Sequence, residues 1–139
     1  MNENALILDA SVTLAWVAHR QSSSDTDRVR KALEAGMQAV TTPSWRSALM
    51  QVLVDAEAGG TIERTYTNRI FTLLDELPIE ILHDYSSSHF GNWLRIARET
   101  RLDIERSSYI ELALRKSLPI ATIDNDTISA AELMGVKLF

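Results

Sequence analysis

The chain has 139 residues, 45% apolar and 24% charged, with a formal charge of −5. That length suits one domain with a real core, and the negative balance argues against a broad basic surface while leaving room for a local patch that binds nucleic acid. There is no cysteine, which removes disulfide frameworks and thiolate metal sites. No apolar run approaches the roughly 18 residues that a bilayer span requires. The N-terminus lacks the basic start and apolar block of a signal peptide, so the expected location is the cytoplasm, without membrane attachment.

The first element is Ala5-Leu6-Ile7-Leu8-Asp9, a continuous apolar run that reads as a buried strand ending on a carboxylate. A helix follows from Ala10 to about Ala18, with Val12, Leu14, Ala15 and Trp16 available to cover a sheet. Gln21 to Ser24 form a polar break, with Ser24 or Asp25 as N-cap. The second helix runs to Glu34 and stops near Gly36. Met37 to Thr41 is a second strand. Thr42-Pro43-Ser44 then opens a third helix, with Met50, Leu53 and Val54 at helical spacing. Gly59-Gly60 ends it, and Thr61 is the expected cap of the fourth helix. Ile70, Leu73, Leu74 and Leu77 mark the inner face of that helix, and Pro78 stops it.

Ile79 to Leu82 is a third strand. Ser86-Ser87-Ser88 starts a fifth helix carrying Phe90, Trp93, Leu94 and Ala97, and a sixth runs from about Ile104 to Lys116. The stretch Leu118 to Asp126 repeats the opening pattern, an apolar strand that ends in carboxylates. A short helix from about Thr127 to Met134 and a last strand at Val136 to Leu138 complete the chain. Strands alternating with helices predict an α/β fold, a three-layer α/β/α sandwich around a parallel sheet, as one domain over residues 1–139. Acids at the carboxyl ends of parallel strands lie where such sheets build their sites. Asp9, Asp124 and Asp126 are therefore expected to gather at one rim.

Each of these residues also has a structural reading. Asp9 can cap the first helix, and Asp124-Asn125-Asp126 is good turn and cap chemistry. Ser11 and Thr122 suit strand ends and caps, or contacts to substrate. Trp16, Trp45 and Trp93 read as core or dimer contacts rather than base-stacking platforms. His19, His83 and His89 are too dispersed for a ligand set. Glu111 reads as a solvated or partner-facing charge. Arg95, Arg98, Arg101, Arg106, Arg115 and Lys116 give the fifth and sixth helices a basic tendency.

Five segments stand out when taken in order: Leu8-Asp9-Ala10-Ser11, Pro43-Ser44, Leu77-Pro78-Ile79, Tyr109 with Leu112-Ala113, and Leu118 through Asp126. Together they resemble the PIN-domain family and its VapC-like toxins. The resemblance implies a PIN-like fold and an endoribonuclease dependent on Mg²⁺ or Mn²⁺. It also implies RNA as substrate, a homodimer, and an antitoxin-like protein as partner. Asp9, Asp124 and Asp126 match its catalytic and metal-binding acids. A hard divalent cation takes oxygen ligands, activates water and stabilises charge on a phosphate.

Two positions depart from the family's pattern. The acid expected in the third helix falls on Ala48, and the Asp expected three residues before Tyr109 falls on Arg106. A guanidinium beside Asp9 and Asp124 is expected to pair with them and supply the charge a metal would bring. The reading is a PIN-like protein with impaired catalysis and weak or absent metal binding. The alternative is an active Mg²⁺/Mn²⁺ endoribonuclease toxin using Asp9, Asp124 and Asp126, with Asp103 or Glu105 replacing the lost acid.

Overall fold

The structure, a computed structural model, describes residues 4–18 and 23–139. Its elements in chain order are β1 (Ala5–Leu8), α1 (Ala10–Val17), α2 (Ser24–Glu34), β2 (Gln38–Thr41), α3 (Pro43–Ala58), α4 (Arg64–Asp75), β3 (Ile79–Ile81), α5 (Ser87–Thr100), α6 (Ile104–Lys116), β4 (Ile120–Ala121) and α7 (Asn125–Met134). The four strands form one parallel sheet in the order β3-β2-β1-β4. Helices flank it, giving the expected three-layer α/β/α arrangement.

All four residues of β1 are buried, as its unbroken apolar run requires of a central strand covered on both faces. The chain leaves β1 toward β2 and β3 on one side, then returns to place β4 on the other. The carboxyl ends of β1 and β4 thus border the point where the winding reverses. That is the crevice where doubly wound sheets hold their ligands. Leu8 pairs with Ala121, and the amide of Asp9 donates to the Ala121 carbonyl at 3.3 Å.

Tyr109 of α6 is almost fully buried, in one core cluster with Leu6, Ile7, Leu8, Ile110, Leu112 and Ile120. Trp45 of α3 is buried too, and its indole N–H donates to Thr13 Oγ1 at 2.9 Å, tying α3 to α1. Gly135 closes α7 at φ +75°, a left-handed backbone that glycine adopts without a Cβ penalty.

Several expectations need correction. The cap of α2 is Ser23, not Ser24 or Asp25; its hydroxyl accepts from Thr26 N in a capping box. Gln21, Ser22 and His19 lie outside the described residues. Glu63, not Thr61, precedes α4, and no side chain caps that end. The buried face of α3 is the ladder Trp45, Leu49, Leu53, so Met50 and Val54 are exposed. Leu73 is also exposed, leaving Ile70 as the buried anchor of α4. The last strand reduces to a single bridge between Leu138 and Ile120.

Candidate functional site

Asp9 stands immediately after β1 and caps α1. Its Oδ1 accepts from the Val12 amide at 3.2 Å and from the Ser11 hydroxyl at 2.7 Å. The residue is only 3% exposed. Burial raises its pKa, against the lowering effect of Thr122, Ser11 and the Val12 amide; the nearby charge of Asp124 raises it further. A buried carboxylate without a cationic partner behaves this way, because the apolar surroundings disfavour the charged form.

Ser11 joins the two strand ends. Its Oγ donates to Asp9, accepts from the Ile123 amide at 3.0 Å, and lies 3.4 Å from Thr122 Oγ1. Thr122 Oγ1 in turn accepts from the Asp124 amide at 3.1 Å. Both hydroxyls, read in the sequence as possible substrate contacts, are thus engaged by the protein itself.

Asp124 caps α7. Its Oδ2 accepts from the Thr127 amide at 2.9 Å, from Thr127 Oγ1 at 2.6 Å and from the guanidinium of Arg106 at 2.9 Å. Burial alone would raise its pKa. The Thr127 and Arg106 bonds outweigh that and hold the carboxyl below its ordinary value. Asp126, one residue into α7, is largely exposed and meets the same Arg106 nitrogen at 3.4 Å.

Arg106 projects from the first turn of α6. The Asp103 side chain caps that helix by accepting the Arg106 amide at 2.8 Å, and its second oxygen takes Arg106 Nε at 3.2 Å. Arg106 therefore binds three carboxylates, those of Asp103, Asp124 and Asp126. This corrects the expected pairing with Asp9. Among the described residues no hydrogen bond or ion pair joins Arg106 to Asp9. Asp9 already meets the Val12 amide and the Ser11 hydroxyl.

Glu105 diverges from its neighbour. Its Oε1 accepts from Tyr109 Oη at 3.2 Å, and burial pushes its pKa up, with added repulsion from Asp103 and Asp9. Ala48 is partly buried and packs against the core, offering no oxygen. The expectation for Glu111 is also corrected. It is 3% exposed and forms a two-bond pair with Arg115, at 2.9 and 3.2 Å. Sequence reasoning gave no role to Thr127. The spacing Asp124-x-x-Thr127 is a readable cap signal.

The residues present do not fit a divalent metal. Asp124 Oδ2 already accepts three hydrogen bonds, one of them from a fixed cation. Asp126 shares that cation, and Ala48 brings no ligand. Among the described residues, no three His, Cys, Asp or Glu side chains are grouped to hold a metal ion.

No family model matches the chain, and no curated protein is similar to it at a significant level. Among solved structures, the chain is similar to the crystal structure of PAE2754 from Pyrobaculum aerophilum, with a TM-score of 0.71 and 17% identity. The match covers 93% of this chain and 86% of that one. It supports the α/β/α fold over nearly the whole length. No helix among the described residues is long and apolar enough to cross a membrane.

Proposed function

We propose that this is a PIN-like, VapC-like domain whose metal-dependent ribonuclease centre has been converted to a metal-free one. It keeps the RNA-facing rim of such an enzyme and has lost, or nearly lost, cleavage. The observation that carries the reading is the Arg106 guanidinium on Asp124 and Asp126, at 2.9 and 3.4 Å. Arginine stays protonated throughout the physiological range, so the positive charge cannot be released to admit Mg²⁺ or Mn²⁺. Ala48 removes a second oxygen, and Asp9 sits in a buried setting that favours its neutral form.

The test is cleavage of single-stranded RNA with Mg²⁺ or Mn²⁺ present. The natural chain should be inert, and the double variant Ala48→Glu, Arg106→Asp should gain metal-dependent cleavage that Asp9→Asn abolishes. Metal-dependent cleavage by the natural chain, itself abolished by Asp9→Asn, would overturn the proposal.

One observation favours the second reading, an active endoribonuclease through Asp9, Asp124 and Asp126. Glu105 lies near enough to Asp9 for the Asp9 charge to help raise its pKa, as in carboxylates awaiting a cation. That reading requires Arg106 to leave Asp124, and the same assay separates the two.

We further infer a cytoplasmic homodimer, with an antitoxin-like protein as a second partner. The exposed apolar residues Met50 and Val54 on α3 support a self-association face. Light scattering of the purified chain at twice the monomer mass is the expected result.

A further inference from the structure

Beside the carboxylate rim lies a cavity of about 470 Å³, within the ~300–1,000 Å³ typical of small-molecule sites. Thr42 and Ser44 at the start of α3, Tyr85, Phe90 and Trp93 around α5, and Glu105 of α6 line it. Its surroundings are aromatic. The Tyr85 and Trp93 ring centres are 5.4 Å apart, and those of Phe90 and Trp93 are 4.9 Å apart. Phe90 nevertheless remains 47% exposed, with ring surface still uncovered.

One donor in this wall lacks a partner. Trp93 Nε1 is shielded from solvent and forms no hydrogen bond among the described residues, whereas the Tyr85 hydroxyl has the Arg115 guanidinium beside it. An indole N–H only donates, so Trp93 requires an acceptor that no described residue provides. Buried polar groups left unpaired cost stability, and such orphans call for an explanation. Glu105 has the opposite need. Tyr109 donates to Oε1, and no hydrogen bond among the described residues reaches Oε2. The cavity therefore combines stacking surface, an unmatched donor and a carboxylate short of donors.

We propose that this cavity binds an unstacked nucleobase, guanine in preference, stacked on the Phe90–Trp93 surface with its N–H edge on Glu105. Among the common bases, guanine alone presents two parallel donors on one edge, N1–H and the 2-amino group, which match a carboxylate's two oxygens. Its O6 and N7 are acceptors of the kind that Trp93, Tyr85 and the Thr42 and Ser44 hydroxyls can serve. A planar ring supplies the apolar contact that an exposed phenyl group lacks. A simple ammonium ligand would satisfy Glu105 but leave Trp93 without an acceptor. Glu105 in the wall, on which Asp103 and Asp9 also act, disfavours a phosphate beside it, so the recognised unit is the base itself. This inference goes beyond the metal-free reading, since base binding requires neither Arg106 nor a cation.

The test is a titration of the full chain with guanosine, adenosine, uridine and choline in a chelating buffer, followed by tryptophan fluorescence and calorimetry. Guanosine should saturate and bind about tenfold more tightly than the other nucleosides, while choline should not compete. Trp93→Leu should weaken guanosine binding about tenfold, the scale of one lost base–aromatic stack. Glu105→Gln preserves side-chain shape, and with its melting curve unchanged it should abolish the preference for guanosine while leaving adenosine binding as it was. Failure of guanosine to saturate, equal affinity for all three nucleosides, competition by choline, or an unaltered preference in Glu105→Gln would each overturn the proposal. None of these outcomes depends on whether the natural chain binds Mn²⁺.

Discussion

Arg106 provides the sharpest mutational test. In Arg106→Ala the guanidinium loses Asp124 at 2.9 Å, Asp103 at 3.2 Å and Asp126 at 3.4 Å. A charge-assisted hydrogen bond contributes about 1.5–3 kcal/mol when shielded. Arg106 and Asp124 are each about one-third exposed, at 31% and 32%, so solvent screening reduces that figure. We take about 1 kcal/mol for this pair and a few tenths for each of the two exposed acids. The expected loss is then about 1–2 kcal/mol, or roughly 3–8 °C in Tm for a domain of this size. Arg106→Asp should lose more, because it adds a like charge to the same cluster. Its behaviour in Mn²⁺ should then diverge from that of the natural chain. A ligand at about 100 times its Kd stabilises the folded state by ~2.7 kcal/mol, enough to offset most of the deficit. Thermal melts in chelator and in Mn²⁺ read this directly. The natural chain should show the same Tm in both, and Arg106→Asp should rise in Mn²⁺ alone. A Tm rise in the natural chain equal to that of the variant would refute the reasoning, because Arg106 would then not be keeping the ion out.

Three further outcomes follow from the same geometry. Asp9→Asn should hold or raise stability at pH 7, by up to about 1 kcal/mol, because Asn caps a helix as well as Asp and carries no buried charge. The sign follows from the raised pKa of Asp9. Below the ordinary carboxyl value of 3.8 both folded and unfolded chains are protonated, and the penalty grows as pH rises from there through the raised folded value. The gain in Asp9→Asn should therefore vanish in acid and be largest near neutrality, as pH-dependent urea midpoints would show. Asp124 titrates in the opposite sense: its contribution is complete above 3.8 and is lost as pH falls through its lowered folded value. Thr127→Val should shrink that acid-limb loss in a pH series of thermal melts. Ser11→Ala removes a donor to Asp9 and the acceptor of the Ile123 amide, so it should cost about 1–3 kcal/mol by chemical denaturation.

The sheet was legible because its central strand is short and sharply bounded. Ala5 to Leu8 is apolar at every position, between polar Asn4 and Asp9, and a run that short suits a strand covered on both faces. The span of α6, read as Ile104 to Lys116, matches the structure, where Asp103 caps its start and basic residues close its last turn. The inner face of α3 was not legible. The ladders Trp45-Leu49-Leu53 and Met50-Val54 both have helical spacing, and periodicity alone does not choose between them. The buried indole bond from Trp45 to Thr13 goes with the first.

At the site, the cation at Arg106 was visible in the sequence, but its choice of partner was not. That choice rests on local capping. Asp9 is already engaged by Ser11 and the Val12 amide, whereas Asp103 is fixed one turn before Arg106 by its own capping bond. Glu111 was misread because an acid on a helix is ordinarily solvated. Its burial depends on Arg115, four residues on, whose guanidinium also lies 5.2 Å from the Tyr85 ring centre.

The most direct measurement is anomalous diffraction from crystals of the natural chain soaked in Mn²⁺. The account predicts no manganese peak between Asp9 and Asp124, with the Arg106 guanidinium still on Asp124 and Asp126. A manganese ion bound by Asp9 and Asp124, with Arg106 turned out to solvent, would contradict it.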